Sequence, residues 1–580
     1  GANSYGGGTN IAAGTVVGNS TTFGTGSIAV ASGAFLVFDQ GAAGSFAQGL
    51  SGSGTVTKAG AGALVLGGDN SFSGGTFVQQ GLLQVDGNLG SSAVTVRTGG
   101  ILGGSGTVGS TVVESGGRVA PGASIGTLVV NGDFTQATGS FYDVELDSLG
   151  QSDLIDISGR ATIESGATLT VTKLDAPRLA LGTRYTVLTA DGGVTGTYSA
   201  VTGAATRVSA FIGVTPSYDA NNVYLNVARN RAFAAAGATP NQIAAASGAD
   251  NAGNGAMYTA IAYLQTDAEA QAAFDSISGE IHASARGATL EDSRFVREAM
   301  INRTVGERPV GKGLWIHGYG SWATFDGDGN AADAKRDIGG FFIGGEMVNE
   351  GGLVLGAVTG YGEAKIKVSD RDSRADTSDA YLGAYVGFNA LGFNARAGLA
   401  YQWRDVKTVR NIAFTGFSDT ATADYSLDTF QIFADAGYKL DIGSFGVEPF
   451  FQLAYVDLSS GGFSESGGSA ALSGSGGEDF WLTQLGTRFR FGVGTGLGVT
   501  GSIGWRHLAG GDRSTPVTMS FAAGPAFDIM GAPLAKDVAA LSLALTGNVS
   551  KNIEVDVGYS GIAGSGVSDH GIRAALTFRF

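Results

Sequence analysis

The 580-residue chain has no cysteine, only nine prolines, and no histidine before His282. Without Cys there is no disulfide framework and no thiolate chemistry. Oxidising compartments normally invite disulfides, so two readings are open: a polypeptide that must stay unbridged to thread something narrow, or a protein simply poor in Cys. With neither His nor Cys before residue 282, the first part of the chain offers no Ser-His-Asp triad, no Cys nucleophile and no usual zinc site. Charge is sparse, with 35 Lys and Arg against 51 Asp and Glu, a net of −16. Scattered basic residues in an acidic chain argue against nucleic acid as a partner. No run of 18 or more apolar residues occurs, which excludes a transmembrane helix but not a barrel, whose strands are short and only half apolar. The chain starts at Gly1 without Met or signal peptide and reads as a mature product or a fragment.

Glycine is what the chain has in abundance, at 98 residues. Over residues 1–228 it punctuates short alternating runs in a recurring unit, as in IAVASGAFLVF around Gly33, FVQQGLLQV around Gly81 and VTVRTGGIL around Gly99. TVVESGGRV around Gly116 and ATIESGATLTV around Gly166 continue it. Neighbouring copies lie about 17 residues apart where closest, and wider gaps have room for degenerate copies. The spacing predicts a stacked β-solenoid, each rung covering the next one's apolar face, over a sandwich with frequent turns.

Residues 229–312 change character. Turn signals at Thr239, Pro240 and Asn241 lead into FDSISGEIHASARGATLEDSRFVREAMINR, where period two is lost and helix formers dominate. Charge lies nearly all round this helix, so it cannot sit in lipid. It suits a polar pore that a helix about 10–12 Å across would fill, or else a solvated linker.

From Gly313 to Phe580 the two-residue period takes over. In FNARAGLAYQWR, Phe393, Leu399, Tyr401 and Trp403 share one face and Asn394, Arg396, Gln402 and Arg404 the other. Leu485, Phe489 and Phe491 oppose Arg488 and Arg490, and Phe451 and Tyr455 oppose Glu448 and Gln452. Buried arginines at this frequency are ruinous in a soluble core unless paired, and cheap against a wet lumen. Twelve strands are predicted near 314–324, 338–349, 353–367, 379–389, 393–406, 427–441, 445–458, 480–493, 497–508, 538–550, 552–562 and 571–580. A thirteenth candidate, VTMSFAAG, is flanked by Pro516 and Pro525 and demoted to a loop hairpin. Tight turns at 349–352, 390–392, 441–444, 494–496 and 550–552 alternate with longer connections after the odd-numbered strands, the pattern of an outer-membrane barrel. Pro449, inside a strand, is a local demerit. The chain ends in Ile572, Ala574, Leu576, Phe578 and Phe580 on one face, a closing barrel strand.

These residues resemble the autotransporters, self-secreting proteins of the type V class. LWIHGYGSW at 314–322, RDIGGFF, DHGIRAALTFRF and SGEIHASARGATLEDSRFVR are similar to the family's barrel domain and pre-barrel segment. Residues 51–87 are similar to its passenger-associated strand repeat, and the stretch from GRVAPGASIG through YTVLTADGGVTGTY, about 120–228, to its autochaperone. The resemblance implies an all-β chain: a right-handed parallel β-helix, a lumenal α-helix, and a 12-stranded antiparallel transmembrane barrel. It also implies periplasmic chaperones and a barrel-assembly machinery that reads the terminal strand with Leu576, Phe578 and Phe580. Family members that cut themselves in the pore carry adjacent asparagines in the helix. Here Asn221-Asn222 lies upstream and the helix offers only Asn302, so nothing supports autocatalytic release.

Other chemistry is thin. Gly122-Ala-Ser-Ile-Gly126 matches G-x-S-x-G without the strand–turn–helix that an elbow needs. Gly306–Gly313 nearly spells a phosphate loop, but Gly313 replaces the Ser or Thr and a strand follows. The remaining constellation is lumenal. Glu346, Arg396, Arg404, Asp435, Glu448, Arg488 and Arg490 should point inward, with Glu291, Asp292, Arg294, Arg297 and Glu298 on the helix as partners, or they merely hydrate the lumen. The reading is a monomeric outer-membrane translocator, without cofactor or enzyme activity, that exports and displays its own passenger, adhesin-like and facing a host or cell-surface ligand by resemblance. The alternatives are a porin with an extra β domain, or the end of an autotransporter whose upstream passenger is an enzyme.

Overall fold

Columns of like side chains organise the first part of the chain. Leu64, Leu83, Leu102, Val119, Tyr142 and Leu169 follow one another at matching positions on successive parallel strands. Lys58, Val78, Val96, Val113, Gln136 and Ile163 form a second column. All twelve are buried, so each rung hides the apolar face of the next. At roughly 1.5–3 kcal/mol per buried aliphatic side chain, stacking supplies most of the stabilisation. Three ladders of parallel strands result, which is the predicted solenoid.

The computed structural model describes residues 2–305, 309–443, 445–493 and 496–580, and they divide into two units, Gly1–Arg231 and Ala232–Phe580. In the first, Phe35 pairs with Thr55 and Val94 with Thr111, rungs of twenty and seventeen residues. The wide gap between the Gly33 and Gly81 copies does hold a further rung, starting at Thr55. Beyond Gly116 the rungs themselves lengthen: Phe134 pairs with Ala161 and Ala161 with Val194. An antiparallel hairpin of Ile212–Tyr218 and Asn222–Arg229, laid against Arg184–Ala190, ends the stack. Asn221-Asn222 sits in its turn, bonded to Asp219. Among the polar groups built into the interior of this unit, Lys58 and Asp153 are the charged types. The Lys58 ammonium donates to the carbonyls of Ala59, Gly60 and Gln80 at 2.8–2.9 Å, and burial lowers its pKa. Asp153 accepts the Gly126 and Glu145 amides, and burial raises its carboxyl to about 7. The Gly122–Gly126 stretch is therefore a turn held by a carboxylate.

The second unit is a closed barrel of twelve antiparallel strands: β1 (Gly311–Phe325), β2 (Ala334–Val348), β3 (Leu353–Val368), β4 (Ser373–Ala390), β5 (Phe393–Phe414) and β6 (Phe417–Tyr438). β7 (Phe445–Ser460), β8 (Glu478–Gly492), β9 (Leu497–Ala509), β10 (Asp537–Ser550), β11 (Ile553–Gly564) and β12 (Val567–Arg579) complete it. β12 pairs with β1 from Gly313↔Arg579 to Phe325↔Val567, so no edge faces lipid. Alternation sorts the faces as predicted. Leu399, Ile432, Leu485, Ile503 and Leu543 point out, between aromatic belts of Trp322, Tyr361, Trp403, Trp481 and Trp505 at one end and Phe393, Tyr438, Phe445, Phe491 and Phe578 at the other. The periplasmic end is the one with the short turns and both chain ends of the barrel. Small inward residues let large ones lie flat: a Cβ on Gly356 would stand 2.2 Å from the Tyr385 ring.

One expectation about the connections needs correction. β4, β5 and β6 run to 18, 22 and 22 residues, so the links after β3, β5 and β11 are short. β5 and β6 meet across only Thr415 and Gly416. Their charged, alternating upper ends look like loop by composition, but pair fully once above the membrane. Of the predicted tight turns, Ser444, Gly494 and Thr495 lie outside the described residues. The VTMSFAAG segment is a loop hairpin as expected, Val517–Phe521 with Phe527–Ile529, and it joins Phe463–Ser464 and Leu472–Ser475 in a small separate sheet. Pro449 does no harm because the β6–β7 ladder stops at Gly437↔Phe450 and resumes at Leu440↔Val447. Its missing donor falls in that gap.

The segment before the barrel holds more helix than the sequence suggested: α1 (Pro240–Ala252), α2 (Ala256–Ala262), α3 (Asp267–Ile277), α4 (Glu280–Asp292) and α5 (Arg294–Arg303). Thr239-Pro240 is a start signal, with Thr239 and Gln242 making a capping box and Pro240 at the first helical position. Thr266 and Glu269 repeat the box for α3.

Candidate functional site in the barrel lumen

α4 and α5 run on through Ser293, whose backbone stays helical. Every residue of α4 is buried, charged ones included. Such a helix is stable only where its charges meet partners. The barrel wall supplies them in three tiers, Arg286 excepted, whose buried guanidinium makes no hydrogen bond among the described residues.

In the middle tier Asp292, fully buried, lies 2.9 Å from both Arg336 and Arg404. Arg404 is also gripped by Asp379 at 2.5 and 2.9 Å and donates to Thr289 at 2.8 Å. The Arg336 Nε contact is close but poorly aligned for a hydrogen bond. Arg294 and Arg336 share one oxygen of Asp569 at 2.7 and 2.6 Å, and Glu291 takes Arg506. Arg297 donates to Gln431, whose amide donates to the Ser293 carbonyl at the helix junction. Toward the periplasm Arg303 forks onto Glu346 and reaches Thr577. Below it Arg396 and Arg488 bind Asp435 and Glu448.

The extracellular tier ties the helix to the loops. Glu280 accepts the Ala332 amide and Arg371. His282 lies between Tyr425 and Glu465, at 3.1 and 2.8 Å, stacked on Phe463. Glu465 in turn holds Arg410 through both oxygens at 2.7 Å. Asn241 exchanges two hydrogen bonds with the Met530 backbone, anchoring α1 to the small loop sheet. On the opposite side of the lumen, Thr500, Ser502, Ser542 and Ser560 stay half-exposed, and the Glu298 side chain is 41% exposed. The helix therefore fills part of the bore and leaves a polar crevice beside β9–β11.

The predicted lumenal residues divide. Arg404 meets Asp292. Glu346 pairs with Arg303, which was not singled out. Arg396 reaches the end of the helix only through the Thr304 carbonyl at 3.3 Å. Arg488, Asp435 and Glu448 pair within the wall, and Arg490 is exposed near the end of β8. On the helix, Glu291, Asp292, Arg294 and Arg297 find wall partners, whereas Glu298 lies only 3.6 Å from Arg294 of its own helix. Arg336, Asp379, Arg506 and Asp569 were missed. Arg506 and Asp379 were legible by alternation, whereas Arg336 and Asp569 stand just before the predicted starts of β2 and β12. Among the described residues no group of His, Asp and Glu is arranged to hold a metal ion. The Gly306–Arg308 part of the phosphate-loop look-alike lies outside the described residues.

A lipid-facing, aromatic-belted barrel with a charged helix through it, and a parallel solenoid in the same chain, define an outer-membrane translocator that exports a passenger. The chain belongs to the autotransporters. The autotransporter beta-domain family matches residues 314–560, and the passenger-associated-transport-repeat matches 1–17 and 56–85. An extracellular serine protease of Serratia marcescens is 30% identical over 583 residues, 89% of this chain and 55% of that protein. The chain thus spans about half the length of the curated relatives it matches. Among solved structures, the translocator domain of autotransporter NalP from Neisseria meningitidis has a TM-score of 0.42 at 15% identity, over 52% of this chain and 99% of that one. The transport unit of AIDA-I from Escherichia coli has 0.37 at 19%, over 48% and 92%.

Proposed function

We propose that α4–α5 is the trailing segment of the exported polypeptide, held in the pore by the charges it meets there. The carrying observation is Asp292, buried between two wall arginines. A helix passing through by chance has no reason to bring its one doubly paired carboxylate to that height. In this reading residues 1–228 are passenger, with the autochaperone-like part from about 120, residues 229–312 linker and pore segment, and 313–580 translocator. No nucleotide site was found in the sequence, so folding of the solenoid outside, rung upon rung, biases export. Outer-membrane lipid surrounds the barrel, periplasmic chaperones assist its assembly, and the barrel-assembly machinery reads the strand ending in Phe578 and Phe580. The test is ion conductance in planar bilayers. A chain beginning at Leu314 should conduct more, and more steadily, than one beginning at Ala268. Equal conductance would remove the helix from the pore.

A second reading concerns the cargo. The matched relatives are named extracellular serine proteases, which favours a secreted hydrolase over an adhesin as the task of the whole protein. The Gly1–Arg231 unit then serves as a stalk and folding scaffold. A serine-directed fluorophosphonate probe should leave this chain unlabelled. Labelling would place the chemistry within it.

A further inference from the structure

Above the extracellular aromatic belt the outer wall of the barrel carries two rows of charge that differ in kind. In the lower row, Asp337, Lys365, Asp376, Lys407 and Asp424 stand directly opposite one another across β2 to β6. Their signs alternate, so each charge has an opposite neighbour. Two residues higher, Lys335, Lys367 and Arg374 are directly opposite on β2, β3 and β4. Like charges in direct register destabilise a sheet, and here three stand in line. All three are exposed. Arg374 has Asp376 at 3.5 Å, with both side chains about half exposed. Among the described residues no carboxylate lies within ion-pair distance of Lys335 or Lys367. In a chain of net charge −16, a basic row with two unpaired lysines on one patch of wall suits an external anion.

Its height limits which anion. Tyr361, in the belt, is six residues below Lys367 on β3, and Trp322 lies opposite Asp337, two residues below Lys335 on β2. At about 3.3 Å rise per residue, and allowing for a tilt of roughly 45°, the row stands roughly 5–14 Å above the belt. A polar layer only about 5–7 Å deep on each side surrounds an ordinary bilayer core. Most of this row lies at or beyond that depth. Anions that reach it are carried on a bulky headgroup.

We propose that Lys335, Lys367 and Arg374 form a binding surface for the phosphates of an outer-leaflet glycolipid with a phosphorylated saccharide headgroup. Its acyl chains lie against the apolar wall below, and its phosphates supply the charge the sheet lacks. Lys and Arg donate to phosphate oxygens through charge-assisted hydrogen bonds, and Arg does so with two parallel donors.

Native mass spectrometry of the full folded chain, released from detergent micelles, tests this. The probes are a diphosphorylated disaccharide glycolipid, the same lipid after phosphatase treatment, phosphatidylglycerol and inorganic pyrophosphate. The unaltered chain should retain the diphosphorylated glycolipid in preference to the other three. Lys335→Gln, Lys367→Gln and Arg374→Gln together should weaken it by on the order of a hundredfold, about fivefold per cation removed. Lys335→Arg with Lys367→Arg should keep it. Undiminished retention by the triple Gln variant overturns the assignment. So does equal retention of the dephosphorylated lipid, which would mean apolar contact alone, or equal retention of phosphatidylglycerol. Pyrophosphate bound as well as the lipid would point to a solute-anion site and also overturn it. If the triple variant fails the heat-modifiability check for folding, the lipid comparison on the unaltered chain still decides.

Discussion

Asp292 shows what a single residue contributes to this molecule. It is buried between Arg336 and Arg404, and removing it leaves two guanidinium groups without their shared counter-charge. Asp292→Ala should cost roughly 3–5 kcal/mol, as for other buried pairs broken on one side. The temperature of the heat-modifiable gel shift should fall accordingly. Glu298→Gln is the comparison: its side chain is half-exposed and 3.6 Å from Arg294, so the shift should be unchanged within about 0.5 kcal/mol. If the two variants behave alike, the buried network does not stabilise the filled barrel. Asp153 predicts a pH effect in the solenoid. Its folded pKa, raised by burial to about 7, exceeds the unfolded value near about 3.9. The neutral acid is therefore the better-tolerated form. Its contribution is fully present below about pH 4 and is lost as pH rises through 7. A shift of this size corresponds to at most about 4 kcal/mol. Protease resistance of the Gly1–Arg231 unit during heating should rise as pH is lowered from 8 to 5, and Asp153→Asn should flatten that slope. A slope of the opposite sign would contradict the burial argument.

Among the elements, β12 and the α4–α5 helix carry the clearest consequences. β12 closes the barrel against β1, pairing Phe578 with Leu314 and Leu576 with Ile316. Phe578→Ser with Phe580→Ser removes apolar area from the lipid-facing end of the closing strand. Folded barrel in the outer membrane, read by heat-modifiable migration, should drop severely. Normal yield would mean that closure does not depend on these two rings. The helix was legible as charged and lumenal, because no lipid or apolar core tolerates charge on every side. Its partners were only half legible. Alternation assigns a residue to a face once its strand is known, but Arg336 and Asp569 precede the residues at which apolar alternation becomes visible. The upper ends of β4 to β6 were hidden for a different reason. Above the membrane the pattern inverts, with apolar residues such as Val406, Ile412, Ala421, Tyr425 and Leu427 facing inward and polar ones outward, so no lipid-facing apolar stripe marks the strands.

For the whole molecule, the absence of Cys and the solenoid's geometry combine in one prediction. Thr57 and Thr135 stand in the same column, separated by Phe77, Thr95 and Val112. Four steps of about 4.8 Å put their backbones on the order of 19 Å apart, well beyond the roughly 7 Å a disulfide spans. A bridge between Cys at these positions can form only before the rungs stack, and it then forbids stacking. Thr57→Cys with Thr135→Cys should stall surface display under oxidising conditions and recover with reductant. Thr57→Cys with Phe77→Cys, on adjacent rungs, should be exported far better. Protease accessibility on intact cells measures both. Equal display of the two pairs, with both bridges confirmed, would contradict export of an unfolded chain followed by folding outside.

The sequence alone determined the architecture: rungs, helix and twelve strands. These follow from local periodicity, turn residues and charge placement, which short windows of chain carry. It also determined which face of most strands meets lipid, because a period of two leaves no other choice. What tertiary structure decided is which charge meets which. The grip of Asp379 on Arg404, Asp569 shared between Arg294 and Arg336, and the Glu465 latch on Arg410 and His282 join residues up to 275 positions apart. Barrel register and the height at which the helix stops set those pairings. Both depend on closure of the whole sheet, and no local stretch of sequence encodes them.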